Sequence, residues 1–303
     1  MSNFDASFHR FIGPFIKWSL VGITVLLLIF IIAINVFSGL FVGKEYALQA
    51  FFDKLRVPMT IHYQKWNDCQ LRYIQTGLDS DSADLLFFIH GAPGNLDNFK
   101  EYLADQDLRK NFKMVSMDRP GYGGSCAGKA VIDLKIQSEA AFSILSTLEF
   151  RRVFIVSHSY GCPVAGKLAA DHPDKINGIV MCAPLNDPDS EPMEWYSQIA
   201  NWKLSRALMP DFIDVATDEK MTHAEELSKI KKDWKKIQAH VLHIHGEDDG
   251  LAPFEDNIRF SKENISSDLL SIYSEAQMGH LNIWINAGTV KKEILKFIDS
   301  ILL

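Results

Sequence analysis

The stretch Val153-Phe154-Ile155-Val156-Ser157-His158-Ser159-Tyr160-Gly161-Cys162 constrains the fold more than any other part of the chain. Its β-branched apolar run reads as a buried strand, and the residues that follow Gly161 read as a helix. Between them the chain has room for one sharp turn with the Ser159 hydroxyl at its apex. The positions two before and two after that apex must be small, because strand and helix cross close together there. Gly161 meets this demand fully, and Ser157 meets it with one hydroxymethyl to spare. Serine-rich turns are common, so the stretch acquires meaning only if an acid, a base and an oxyanion site accompany it in order.

The surrounding pattern supplies a matching scaffold. Thr60 to Gln64 and Gln70 to Ile74 alternate in polarity and read as strands at a sheet edge. Leu85 to Ile89, Phe112 to Met117, Val153 to Val156, Ile176 to Cys182, Val241 to Ile244 and Leu269 to Tyr273 are more continuously apolar. Helical stretches alternate with them: Leu96 to Leu108, Val131 to Phe150, Pro163 to Ala170, Phe254 to Lys262 and Ile285 to Leu302. Apolar strands alternating with helices predict an α/β domain with a mostly parallel sheet covered on both faces. Residues 185–237 break this alternation without a clear strand, and a structureless loop of that length is unusual in a compact domain. They are read as a small helical cap, with Met193, Trp195, Trp202, Phe212, Met221 and Trp234 divided between the cap's own core and a substrate pocket.

Residues 18–42 carry no charged side chain, and as a helix they exceed the roughly 30 Å hydrocarbon core. Arg10 and Lys17 precede them and Lys44 follows. A cleavable signal peptide would have a shorter apolar region and an A-x-A-like site, which is not found near Asn35 to Ser38. The expected organisation is therefore a tail (residues 1–17), a transmembrane helix (18–42) in contact with a lipid bilayer, a juxtamembrane connection (43–58) and a catalytic domain (59–303). Flanking charges nearly balance, and the short tail points to a single-pass type II arrangement with the domain on the extracytoplasmic side. The net charge of -7 and pI of 5.8 give no basic patch for nucleic acid. Cys69, Cys126, Cys162 and Cys182 have no metal-ligand spacing, and their spacing indicates no disulfide framework.

From about Ile61 onwards the chain resembles the α/β-hydrolases of the capped esterase, lipase and prolyl-aminopeptidase branch. The matching segments are His90-Gly91-Ala92-Pro93-Gly94, Asp118 to Ser125, the Ser159 turn, Gly246-Glu247-Asp248-Asp249 followed by Pro253, and Gly279-His280. The resemblance implies an order of serine, acid, histidine, and hence Ser159 as nucleophile, Asp249 as acid and His280 as base. Asp248 and Asp187 are competing acids; the family's spacing after the glycine selects Asp249. For the oxyanion hole the resemblance points to the backbone N–H groups of Ala92 and Tyr160, and Pro93 has none to offer. His90 and His158 are read as structural, His243 and His245 as packed or capping, and Asp118 and Arg119 as bracing their loop. Where the family usually has glycine this chain has Ser157, and Cys162 stands where glycine or alanine is more common.

These residues imply serine hydrolysis of a carboxylic ester or related acyl compound, without metal or organic cofactor. Relatives that cleave haloalkanes or epoxides use an aspartate nucleophile, which the serine here disfavours. His-Gly-Ala-Pro-Gly also resembles the corresponding loop of proline-type aminopeptidases, the alternative reading. A binding protein of the same fold that has lost turnover is a third. The apolar cap and the membrane segment favour a small, hydrophobic acyl substrate.

Overall fold

The computed structural model describes residues 17–30, 32–33, 44–193 and 195–302. One eight-stranded sheet organises them, with strands β1 (Thr60–Trp66), β2 (Cys69–Gly77), β3 (Asp84–Ile89), β4 (Phe112–Met117), β5 (Val153–His158), β6 (Gly178–Cys182), β7 (His240–Gly246) and β8 (Leu270–Glu275). Their order across the sheet is β1-β2-β4-β3-β5-β6-β7-β8. The β1–β2 and β2–β4 pairs are antiparallel and all later pairs are parallel. From β3 the chain passes to β4 on one side and then crosses back to β5 and on to β8 on the other. A crevice opens beyond the carboxyl ends of β3 and β5, where such a sheet places its ligand.

Both faces of the central strands are buried, and the two-residue period sorts their side chains. Leu85, Phe87 and Ile89 pack against helices α2 (Leu134–Leu145) and α3 (Gly161–Asp171) through Ile144 and Leu168. Leu86 and Phe88 join the opposite layer, with Leu48 and Phe52 of α1 (Glu45–Leu55) and Ile294 and Phe297 of α6 (Ala287–Leu302). Each fully buried side chain of this size stabilises the fold by about 1.5–3 kcal/mol, so truncation of Phe87 or Phe88 to alanine would cost about 3–5 kcal/mol.

Between β6 and β7 lie two short helices, Trp195–Ala200 and Lys203–Leu208, then the long α4 (Asp211–Ile230) and a 3-10 turn, Lys231–Lys236. This is the region read as a cap. Its large side chains are distributed differently from expectation: Met193, Trp195, Trp202 and Met221 are exposed, while Trp234 packs into the main core on α3. A Cβ on Gly166 of α3 would meet that indole ring at 2.6 Å. Helix α5 (Phe254–Asn264) follows β7 on the same face.

Residues 43–58 were expected to be a juxtamembrane connection, and α1 within them packs Leu48 and Phe52 into the domain. Residues 17–30 and 32–33 are helical, with Trp18, Leu20, Ile23 and Leu26 exposed. Among the described residues no helix is long and apolar enough to cross a membrane. Residues 31 and 34–42 of the expected span lie outside them.

The cysteines require a correction. Cys69 at the start of β2 is disulfide-bonded to Cys126 in the loop after β4, with Cα atoms 5.3 Å apart. Fifty-seven residues separate them in sequence; only the β2–β4 pairing brings them together, and spacing along the chain carries no trace of that. Cys162 and Cys182 are buried and free, as small core residues, and burial pushes the Cys162 thiol up to about 12.

Candidate active site

Strand β5 ends at His158 and α3 begins at Gly161, which leaves Ser159 and Tyr160 to make the turn. Ser159 has φ of 51°, in the left-handed region where a side chain is disfavoured. Its amide is tied to the Cys182 carbonyl, which fixes the apex against β6. A Cβ on Gly161 would lie 2.6 Å from the carbonyl oxygens of Ile89 and His90, so no side chain fits there. Ser157 is fully buried and its hydroxyl has a destination: it donates to the Val180 carbonyl at 3.1 Å and lies 3.4 Å from Cys162 Sγ. The two departures from the family pattern, Ser157 and Cys162, touch each other.

His280 reaches this turn from the loop after β8. Its Nε2 is 3.0 Å from Ser159 Oγ and its Nδ1 is 2.9 Å from Asp249 Oδ2. The carboxylate requires the proton on Nδ1, so Nε2 presents its lone pair to the serine hydroxyl. Asp249, in the loop after β7, uses its other oxygen to accept the amides of Leu251 and Ala252, both at 2.8 Å. Its side chain is fully enclosed. Burial pushes the Asp249 pKa up, but hydrogen bonds from His245 and His280 and the loop amide of Ala252 outweigh it and hold the group well below the usual range. Of the competing acids, Asp187 faces Arg259 at 3.3 Å. Asp248 is held through its main chain to Met278.

Behind Asp249 stands a row of groups whose connection was not legible beforehand. His245 Nε2 lies 3.2 Å from Asp249 Oδ2, His243 Nε2 lies 3.0 Å from His245 Nδ1, and Ser261 Oγ lies 2.9 Å from His243 Nδ1. A single direction satisfies the row: Ser261 donates to His243, His243 to His245, and His245 Nε2–H points between the Ala252 carbonyl and Asp249 Oδ2, each at 3.2 Å. Burial, and then the neighbouring His245, push the His243 pKa well down, which keeps that ring neutral. The signal was present as two histidines on one face of β7 followed by an acid.

His158 is more than a spacer. Burial, and then His280, lower its pKa to about 3, so it is neutral, and its Nε2–H donates to the His280 carbonyl at 3.0 Å. Its ring also packs edge-on against Trp284 at 4.6 Å. The His280 main chain is therefore anchored by the residue next to Ser159.

The loop after β3 lies directly against the elbow: a Cβ on Gly91 would come within 3.0 Å of Ser159 Cβ. Arg119, fully buried, donates from Nε to the His90 carbonyl and from Nη2 to the Gly91 carbonyl, at 2.8 and 2.9 Å. Its amide donates to His90 Nε2 at 2.9 Å, and burial followed by the Arg119 charge keep that imidazole neutral. Glu219 of α4 receives Arg119 Nη1 at 2.6 Å, Tyr122 Oη at 2.6 Å and Gln137 Nε2 at 2.9 Å. The cap helix is thereby fastened to the loop that carries Ala92. Ala92 and Tyr160 both border the same cavity as Ser159 and His280.

That cavity, about 350 Å³, is roofed by α4 and lined by Leu185, Ile213, Ala216 and Leu251 among others. None of the cap aromatics named above lines it; small and polar cap residues do. On the other side of Ser159 a shallower groove runs past Asp97 and Lys100 to Lys44 and Ala47 of the α1 region.

A family model described as alpha/beta hydrolase fold matches residues 84–216. A membrane phospholipase A described as a bacterial virulence factor superposes over 94% of this chain and 99% of its own, with a TM-score of 0.63 and 18% identity. This chain has the α/β-hydrolase fold. In sequence it is 33% identical to protein ABHD8 of Mus musculus over 129 residues, 42% of this chain and 28% of that protein. It is 26% identical to epoxide hydrolase 1 of Caenorhabditis elegans over 191 residues, 60% of this chain and 46% of that protein. The chain thus spans less than half the length of these two relatives. In the frame of the α/β-hydrolase fold, Ser159, Asp249 and His280 stand at the ends of β5, β7 and β8 and meet in one hydrogen-bonded line. Among the described residues no cluster of histidine, cysteine or carboxylate side chains has the arrangement of a metal site.

Proposed function

We propose that this protein is a membrane-anchored serine hydrolase that cleaves a carboxylic ester or related acyl bond. The observation that carries the reading is the unbroken line from Asp249 through His280 to Ser159, at 2.9 and 3.0 Å. His280 Nε2 takes the Ser159 proton as Oγ attacks the carbonyl carbon, and Asp249 stabilises the resulting imidazolium. The oxyanion is received by the backbone N–H groups of Ala92 and Tyr160. His280 then returns the proton to the departing alcohol, and water, activated by the same imidazole, releases the acyl group from Ser159.

The serine at the elbow separates this chain from epoxide chemistry, for which the fold uses an aspartate nucleophile, despite its similarity to an epoxide hydrolase. A proline-type aminopeptidase needs a free carboxylate to hold a substrate ammonium group. The carboxylate lining the cavity is Glu191, and it is already paired with Lys220 and lies 3.1 Å from His223 Nδ1. That favours the ester. The groove from Ser159 reaches Lys44, which in sequence closely follows the apolar residues 18–42, and this supports a substrate drawn from a lipid surface. The Cys69–Cys126 disulfide supports a domain on the extracytoplasmic side, where such bonds persist.

A fluorophosphonate probe tests the reading: the wild type is expected to be labelled and Ser159→Ala is not. Absence of labelling in the wild type, or its survival in Ser159→Ala, would overturn the hydrolase. A prolyl anilide turned over faster than a short-chain aryl ester would reverse the order of ester and peptide. Full-length protein that is soluble without detergent would remove the anchor.

A further inference from the structure

The two short helices of the cap are amphipathic the wrong way round for a surface in water. In Trp195–Ala200, Ser197 and Ala200 line the cavity beside Ser159, while Trp195 and Ile199, one turn apart, are exposed. In Lys203–Leu208 the exposed pair is Leu204 and Leu208, again one turn apart, and the preceding Trp202 joins them. The charge of that helix points the other way: Arg206 turns towards α4, where its Nη2 donates to Asp218 Oδ1 at 2.5 Å. Trp195, Trp202 and Leu204 are 69%, 61% and 71% exposed. A helix on a water-facing surface keeps its polar side outward, and a cluster of exposed large apolar side chains marks an interaction surface.

The course of the chain indicates what covers that face. Gly43 alone separates the uncharged residues 18–42 from Lys44. Lys44 borders the groove that contains Ser159, Leu251 and His280, and the cap cavity contains the same three residues. These follow β5, β7 and β8, so groove and cavity both open beyond the carboxyl ends of the strands. A bilayer that holds residues 18–42 has its surface near Lys44, and so lies at the end of the domain that carries the cap. Tryptophan suits that depth, where an apolar ring and an N–H group meet lipid and water together. A second copy of the chain has no such reason to sit at this end.

We propose that the outer face of Trp195–Ala200 and Lys203–Leu208 docks on the lipid bilayer, with Trp202 and Leu204 seated at the level of the headgroups and upper acyl chains. The inference rests on the anchored-hydrolase reading for its tether, and deepens it by naming the surface through which the site meets its substrate. Docking there puts the cavity wall at Ser197 and Ala200 about one helix diameter from the bilayer. An acyl chain then passes from lipid towards Ser159 with little exposure to water.

The test reconstitutes the full-length protein in phosphatidylcholine vesicles. Cys162 and Cys182 are buried and Cys69 is bonded to Cys126, so Leu204→Cys supplies the accessible thiol for an environment-sensitive nitrobenzoxadiazole label. The control is a label on Asp299→Cys, because α6 ends against the start of β6 at the opposite end of the sheet: a Cβ on Gly178 would lie 3.3 Å from Ile301 Cδ1. Emission from position 204 is expected to shift to the blue and to be quenched by lipids spin-labelled near the headgroup, and emission from position 299 to do neither. A blue-shifted label that the lipids do not quench means that a second copy or the chain's own apolar segment covers the face, and an unshifted label means that water does; either overturns the proposal. Flotation with the vesicles reads the anchor separately. Protein that floats without quenching at position 204 keeps the anchor and loses the docking face, and protein that does not float loses both.

Turnover supplies a second readout. Leu204→Asp is expected to lower kcat/KM about tenfold on a long-chain ester dispersed in the vesicles, the worth of one large apolar side chain leaving water. A water-soluble aryl ester should change by less than about twofold, as for an ordinary surface substitution. No loss on either ester, or equal losses on both, overturns the proposal. If neither ester is cleaved and no fluorophosphonate labels Ser159, the hydrolase reading fails, while the quenching still decides whether the face docks.

Discussion

His245 Nε2 and His280 Nδ1 converge on one oxygen, Asp249 Oδ2, at 3.2 and 2.9 Å. The acid is thus held from behind by a histidine that never meets the substrate. Its orientation relative to His280 depends on that second donor as well as on the two loop amides. Replacement by His245→Phe preserves the ring's bulk and removes the donor. The expected result is a fall in kcat of about tenfold or more, since hydrogen bonds to a charged group are worth about 1.5–3 kcal/mol. KM should change little, because His245 touches no substrate. Steady-state kinetics on an aryl ester check this, and an equal loss in KM would make the residue merely structural.

Arg119 and Glu219 join the loop after β3 to the cap through a fully buried ion pair. Removing one partner of such a pair strands the other charge and costs about 3–5 kcal/mol. Glu219→Ala is expected to lower the urea midpoint by a corresponding amount. It should also slow acylation of Ser159, because Arg119 holds the Gly91 carbonyl beside Ala92. Glu219→Gln, which keeps an acceptor, should recover part of both. Equal acylation rates in all three proteins would show that the loop stands without the cap.

How much of this was legible in the chain follows from where each contact originates. Ser159, Asp249 and His280 sit in short strand-end segments: the turn around Ser159 is written locally, whereas the family resemblance was needed to prefer Asp249 over Asp248 and Asp187, and the contacts now join all three. The strands were visible too, to within a few residues: continuous apolar runs mark the central strands, buried on both faces, and alternation marks β1 and β2. Glu219, His223 and Glu191 had no such mark. They are polar residues of a cap with no regular pattern, and only the path of α4 across the cavity gives them neighbours. Large cap aromatics drew attention by size, yet the cap's share of the cavity wall comes from residues such as Ser197, Ala200, Ile213, Ala216 and Thr217.

Asp97 carries a pH-dependent penalty. Burial first, and then the Asp118 charge, raise its pKa to about 6, against the partial help of Arg72 and Lys100. Between about pH 4 and 6 the unfolded chain has lost this proton while the folded protein keeps it, so stability falls as the pH rises through that window. Above it the full penalty remains. Asp97→Asn should therefore be more stable than wild type by about 1–2 kcal/mol at pH 7.5 and nearly equal to it at pH 4. Urea unfolding at the two pH values measures the difference; a gain that is the same at both would assign it to packing rather than charge.

Ser157 answers the crowding at the elbow by bonding sideways. Its hydroxyl reaches the Val180 carbonyl of the neighbouring strand at 3.1 Å and does not approach Ser159. Ser157→Ala should lose about 1 kcal/mol of stability, one net hydrogen bond, with kcat within about twofold of wild type. Differential scanning calorimetry and ester turnover check the pair of outcomes. A large kcat change without a Tm change would mean that the hydroxyl tunes the nucleophile.

The Cys69–Cys126 bond closes a long loop that contains β3, β4 and the segment around Ala92. Chain-entropy arguments give a closed loop of that length about 4 kcal/mol of stabilisation, most of it through restriction of the unfolded state. Thiol titration in denaturant should find two reactive groups, Cys162 and Cys182, and four after reduction. Reduction of the folded protein should lower its Tm while leaving Ser159, Asp249 and His280 assembled, since none of them lies within the closed loop. The Cys69→Ser, Cys126→Ser double variant should therefore remain reactive towards a fluorophosphonate at low temperature and lose that reactivity on mild heating. Four reactive thiols in protein taken unreduced from its native compartment would place the domain in a reducing compartment.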